Sequence, residues 1–151
     1  MRLTSFEALN AFAKQLERNV SGSGFKTKVI VLPSALSEKG VAITVAVLKT
    51  FIDGRVPASR ATRTLRLRVS VCGTAESMTG LNQALCAIEA LDRFFAADGL
   101  RLEDASGKGI PNSRILQAVS QEDSFFDSPG STAVQEVQDG RIAVITIPTG
   151  E

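Results

Sequence analysis

Residues 62–72 read TRTLRLRVSVC, and apolar and polar side chains alternate without a break over positions 64–71. The four apolar residues of this run would share one face of a β-strand, because successive side chains point to opposite faces. At roughly 3.3 Å per residue the whole run spans about 36 Å, whereas a strand usually has about five or six residues. The stretch therefore predicts a long, two-faced strand of the kind that suits structural and assembly proteins, with Arg66 and Arg68 on its polar face.

Two amphipathic helices are predicted, one on each side of this strand in the sequence. Thr4 and Glu7 have the spacing of a capping box, and apolar residues then recur at helical intervals over 5–19. After Gly73, an apolar stripe predicts a second helix of about 18 residues, with Asn82 and Glu89 off the stripe. The stripe consists of Met78, Leu81, Leu85, Ile88, Leu91 and Phe95.

Further strands are predicted at 26–32, 41–48 and 115–119, with 101–113 mostly loop. The strand at 41–48 is expected to pair with the long strand across residues 53–60, which gives a basic β-hairpin. The Asp139-Gly140 pair between 134–138 and 142–147 predicts a terminal hairpin, whose second arm would lie mid-sheet with both faces covered. These elements predict an α+β fold: a single mainly antiparallel or mixed β-sheet of five or six strands, flanked by two α-helices.

Composition indicates one domain over residues 1–151 and no overall charge that would favour nucleic acid or a membrane. The chain is 44% hydrophobic, with 17 basic and 16 acidic residues and a net charge of +1. The charges are unevenly distributed, however. Residues 49–68 hold six basic residues and one acid, whereas residues 120–139 hold five acids and no basic residue. These two segments are candidates for complementary patches.

Targeting and metal signals are weak throughout the sequence. The start of the chain lacks an apolar signal-peptide core, and no stretch approaches the roughly 20 apolar residues of a membrane span, so a cytosolic product without a membrane role is expected. The chain has no histidine and only Cys72 and Cys86, without a CxxC spacing. We therefore expect two small apolar thiols, neither a structural disulfide nor a zinc site.

Catalytic motifs are also missing, so we expect a protein that is not an enzyme and that uses no cofactor. Without histidine the common Ser-His triads are impossible, and the glycine-containing stretches at 21–25 and 106–109 lack the GxxxxGK[ST] frame of a phosphate loop. An acid/base pair could be assembled only from carboxylates in polar segments, where a solvated loop is the simpler interpretation. Those carboxylates are Glu103, Asp104, Glu122 and Asp123.

Two features leave alternatives open. Arg66 and Arg68 could lie on a solvated sheet face, in a protein interface, or against nucleic acid, although Phe51 is the only nearby aromatic residue that could stack on a base. Phe125 and Phe126 could fold onto the domain's own core or anchor a partner.

The order of elements resembles the tail terminator, or tail completion, proteins of long-tailed bacteriophages and of contractile tail-like particles. The resemblance covers most of the chain: an N-terminal helix, strands, a long alternating strand entering a helix through VSVCGTAES, and a closing β-rich segment at RIAVITIP. It implies a small α/β structural protein that forms a homo-oligomeric ring, generally a hexamer, on the last ring of the tail tube. Such a ring stops tail polymerisation and provides the surface that joins the head.

The resemblance further implies a virion location, assembly in the host bacterial cytoplasm, contacts with the tail tube protein and a head-tail connector protein, and passage of DNA through the lumen. A lumen of this kind is often acidic, which conflicts with the arginines of the long strand if that face lines it. Alternatives are another head-tail connector or tail component, a nucleic-acid-binding module using the basic 49–68 segment, and a small enzyme or ligand-binding domain. The predicted subunit or partner interface comprises Arg55, Arg60, Arg63, Arg66, Arg68, Glu122, Asp123, Phe125, Phe126 and Asp127.

Overall fold

Seven regular elements are present in a computed structural model that describes residues 3–20, 27–33, 40–52, 62–75, 77–118 and 135–148. In chain order they are helix α1 (Ser5–Val20), strands β1 (Lys28–Val31), β2 (Gly40–Ile52) and β3 (Thr62–Ala75), helix α2 (Met78–Ala96), and strands β4 (Arg114–Ala118) and β5 (Gln135–Pro148). The strands form one sheet in the order β1-β2-β3-β5-β4. β1 and β2 are parallel and the other neighbours antiparallel, so the predicted α+β fold with one mixed sheet and two helices is confirmed.

Both helices begin at side chains that satisfy free backbone N–H groups. The predicted capping box is confirmed: the Glu7 N–H donates to Thr4 Oγ1 at 3.1 Å, and the Thr4 N–H donates to Glu7 Oε1 at 3.2 Å. At α2, the Gly80 N–H donates to the hydroxyl of the N-cap residue Ser77 at 3.1 Å. The N-terminal ends of both helices are therefore fixed by local sequence.

The two helices cover one face of the sheet, and the core lies between the helices and that face. Alternate residues of β2, β3 and β5 are buried on this face, and the edge-to-face rings of Phe12 and Phe94, 6.2 Å apart, join α1 to α2. The buried strand residues are Val41, Ile43, Val45, Leu65, Leu67, Val69, Val71, Ala143, Ile145 and Ile147. The apolar face of the long predicted strand is thus confirmed as core.

The buried face of α2 differs from the predicted stripe. Met78 and Leu85 are 79% and 43% exposed, whereas Ala84, Ala87 and Ala90 are buried together with Leu91 and Phe94. Alanine side chains are small enough for the helix axis to approach the sheet closely, so packing distance selects the alanine row over the bulkier residues beside it. The stripe was therefore wrong at its first turn and at Leu85.

The predicted terminal hairpin at Asp139-Gly140 is wrong. β5 is one continuous strand, in which Asp139 is in register with Val71 and Gly140 with Ser70. Because β3 offers a ladder 14 residues long, a turn at this point would leave half of that ladder without a partner. β5 does lie mid-sheet, between β3 and β4, but only one of its faces is buried: Ile142 and Val144 on the other face are half-buried.

Cys72 and Cys86 are free thiols, each half-buried. Within the described ranges, neither helix is long and apolar enough to cross a membrane.

Candidate assembly interface

The sheet face opposite the helices carries a cluster of exposed cations, which we call the basic face. Arg66 is in register with Lys49 on β2 and Val144 on β5, and Arg68 with Ala46 and Ile142, so the two arginines lie mid-sheet. The same alternation places cations of the outer strands on this face. The basic face comprises Lys28, Lys49, Arg66, Arg68 and Arg114, all exposed. Among the side chains that the structure describes, it has no acidic residue.

Apolar groups lie between these cations. Leu116 is 52% exposed and in register with Val144, next to Arg66. The Lys49 ammonium lies 5.6 Å from the ring centroid of Phe51, which is itself 45% exposed. Charged groups that are well solvated in water add little binding energy on their own. Cationic side chains beside exposed apolar side chains are therefore typical of a surface that binds an acidic partner through both charge and apolar contact.

The structure brings together only some of the predicted interface residues. Arg66 and Arg68 share the basic face, whereas Arg63, in register with Ile52 and Ile147, belongs to the opposite side of β3. The remaining predicted residues lie outside the described residues. They are Arg55, Arg60, Glu122, Asp123, Phe125, Phe126 and Asp127.

Lys28 and Arg114 are cations of this face that the sequence analysis missed. Each lies on a short edge strand, and its face depends on pairing with a long strand: Lys28 with Ala42, and Arg114 with Thr146. Alternation with Ile115, which is buried on the core side of β4, is the signal that could have identified Arg114.

One edge of β2 lacks a strand partner among the described residues. β1 ends at Val31, opposite Val45, so residues 46–52 of β2 have β3 on one side only; we call them the free edge. A β-bulge lies between Val47 and Lys49. Four large apolar side chains of the free edge are exposed: Val47, Leu48, Phe51 and Ile52, each between 45% and 49%. An edge of this kind is a template for an added strand.

The other sheet edge is partly covered. The Ile115 N–H of β4 donates to the Leu100 carbonyl at 3.0 Å, so the loop after α2 satisfies that part of the edge. This loop is anchored by the buried Gln15 of α1, whose amide donates to the Arg101 carbonyl at 2.9 Å and accepts from the Glu103 N–H at 3.0 Å. Covering an edge in this way removes it as a pairing site.

A groove of about 290 Å³ lies between α1 and this loop, and it contains two of the carboxylates considered for catalysis. Glu103 Oε1 pairs with Arg18 at 3.2 Å. The Ser106 hydroxyl, followed by the Lys108 N–H, holds the pKa of Asp104 below its usual value. Asp104 is therefore ionised at neutral pH and has no proton to donate. The described residues contain no group of three metal-ligating side chains.

Comparisons with known proteins give a structural likeness and no family match. No protein-family model matches the chain, and the search of curated proteins finds no match. Among solved structures, the chain is similar to one chain of the "Virion of native gene transfer agent (GTA) particle", at 13% sequence identity and a TM-score of 0.47. The similarity covers 89% of this chain and 92% of that one. A TM-score below 0.5 does not establish a common fold, so the functional evidence for this chain is the geometry of the basic face and the free edge.

Proposed function

We propose that this chain is a structural virion protein, a tail terminator that assembles into a homo-oligomeric ring at the end of a tail tube. The ring stops tube polymerisation and presents the surface to which the head is joined. The observation that carries the proposal is the basic face, where Arg66 and Arg68 are exposed mid-sheet without an acid among the described side chains of that face. Like charges clustered around exposed apolar side chains favour a surface that binds a partner of opposite charge.

A closed ring requires a heterologous interface, in which two different patches of the same subunit meet. The basic face and residues 122–127, which have three acids and no basic residue, are of opposite sign. The other two acids of the 120–139 segment, Glu136 and Asp139, lie in β5. Complementary charge sets the register and speeds association more than it adds affinity. We accordingly assign the basic face to the subunit contact and not to the lumen, which removes the conflict with DNA passage, and we take the ring to be a hexamer as the resemblance implies.

Negative-stain electron microscopy of the purified protein tests the ring. We expect closed rings of uniform diameter. In the virion, the tail tube protein and a head-tail connector protein would be the neighbours of this ring below and above. Open filaments or single subunits at micromolar concentration would contradict the proposal, because a terminator must close on itself to cap a tube.

A second candidate function is a nucleic-acid-binding module. The observation in its favour is the Lys49-Phe51 pair beside Arg66, since an exposed ring and a cation can hold a base and its phosphate. A monomer whose DNA affinity falls steeply with salt favours this module. Rings that do not bind DNA at 150 mM salt, an ionic strength at which exposed charges are screened beyond about 8 Å, favour the terminator.

A further inference from the structure

The free edge of β2 presents backbone hydrogen-bonding groups as well as apolar side chains. The Val45 carbonyl accepts from the Leu32 N–H at 2.9 Å, so the backbone polar groups of Val45 point away from β3. Along an antiparallel strand, the backbone N–H and C=O groups of successive residues point alternately toward one neighbouring strand and the other. The residues of β3 keep this alternation past the bulge in β2. The N–H and C=O groups of Thr50 and Ile52 therefore point outward, to where no described strand lies.

We propose that this free edge receives residues 122–127 of the neighbouring copy as an added β-strand. This inference rests on the ring proposed above. The incoming segment of six residues, 122–127, is short enough to pair along the seven residues of the free edge. The two segments also match in chemistry. The acceptor has four exposed apolar side chains with Lys49 among them and Arg66 alongside, and the incoming segment has Phe125 and Phe126 among three acids. Strand addition draws affinity from the backbone and specificity from such side chains.

Chain length favours a contact between subunits over one within a subunit. Residues 119–134 join the end of β4, at the opposite edge of the sheet, to the start of β5, where Gln135 is in register with Ala75. To reach the outer side of its own β2, residue 122 would have to cross four strand spacings from β4, about 19 Å at about 4.8 Å each. Only four Cα–Cα steps separate Ala118 from residue 122, and fully extended they span at most about 14 Å. A neighbouring copy meets no such limit.

Mixing two blocked variants tests the contact. Thr50→Pro removes one outward N–H without touching the ladder to β3, and its matched control Thr50→Val keeps that N–H. Phe125→Asp/Phe126→Asp removes the apolar pair from the incoming segment. Each blocked variant alone should stay monomeric, while Thr50→Val forms rings. An equimolar mixture should give a 1:1 heterodimer of twice the 16.0 kDa chain mass, because only one intact edge and one intact segment remain to meet.

The outcomes separate this inference from the ring itself. Rings from either blocked variant alone, or no heterodimer although wild-type protein forms rings, overturn strand addition and leave the ring proposal standing. Wild-type protein that remains monomeric overturns both. If Thr50→Pro fails to fold, Ile52→Asp replaces it, since it places a negative charge opposite the acidic segment. Amide exchange gives an independent readout: the N–H groups of Thr50 and Ile52 should exchange at least about tenfold more slowly in the ring than in the Phe125→Asp/Phe126→Asp monomer.

Discussion

Gln15 is a polar side chain only 1% exposed, and it holds α1 to the loop that covers the β4 edge. Its amide satisfies the Arg101 carbonyl and the Glu103 N–H at once, so Gln15→Leu would leave two backbone groups without their partners. We expect the free energy of unfolding to fall by about 2–3 kcal/mol in urea denaturation. The exposed control Glu17→Leu on the same helix should change it by less than about 0.5 kcal/mol. Equal effects would show that the amide has no bridging role.

Asp104 organises residues 104–108 through its carboxylate. The Ser106 hydroxyl and the Lys108 N–H both donate to Asp104 Oδ1, and they lower its pKa. Because the folded pKa lies below the unfolded one, these bonds stabilise the loop above the unfolded pKa, and that stabilisation is lost as the pH falls through the folded pKa. We expect Ser106→Ala to raise the pKa of Asp104 in a carboxyl NMR titration. An unchanged pKa would mean that the hydroxyl does not hold the carboxylate.

At the scale of elements, β3 separates the core from the basic face along its length. Leu67 is fully buried under the helices, whereas Leu116 of β4, on the opposite face of the sheet, is 52% exposed. Leu67→Ala should therefore lower the free energy of unfolding by about 3 kcal/mol, and Leu116→Ala by less than about 1 kcal/mol. Denaturant titration of both variants checks this. If both variants lost a comparable free energy of unfolding, Leu116 would have to be buried by further residues packed on the basic face.

Local patterns in the sequence predicted β3, α1 and its cap well, because alternation and capping act within a few residues. The error at Asp139-Gly140 has a different origin. A turn signal of two residues competes with a ladder to β3 along the whole of β5, and the partner strand lies more than 60 residues earlier in the chain. Pairing energy over that distance cannot be read from the turn itself, so the sequence analysis split one strand into two.

The basic face was harder to predict from the sequence than the fold. Arg66 and Arg68 were recognised because they alternate within one strand, but Arg63 lies on the other side of β3, and Lys28 and Arg114 join the basic face only through pairing. Likewise, the alanine row of α2 is buried because the sheet is close, a fact that a hydrophobicity pattern does not contain. Long-range register therefore decides which charges act together.

At the scale of the whole molecule, the charges are balanced in number but unevenly distributed along the chain. Arg66→Glu/Arg68→Glu would place two acids at the centre of the basic face, so we expect rings to be lost while the thermal unfolding temperature of the subunit stays within a few degrees. The control Lys14→Glu/Lys108→Glu makes the same change in net charge on exposed residues off the sheet, and it should leave rings intact. Sedimentation velocity measures both variants, and rings from the arginine variant would reject the basic face as the contact.

Native mass spectrometry of the wild-type protein over a range of salt concentrations tests assembly most directly. We predict one closed oligomer, a whole-number multiple of the 16.0 kDa chain with six copies expected, which dissociates progressively as salt screens the opposite patches. A protein that remains monomeric at every concentration and ionic strength would contradict the account.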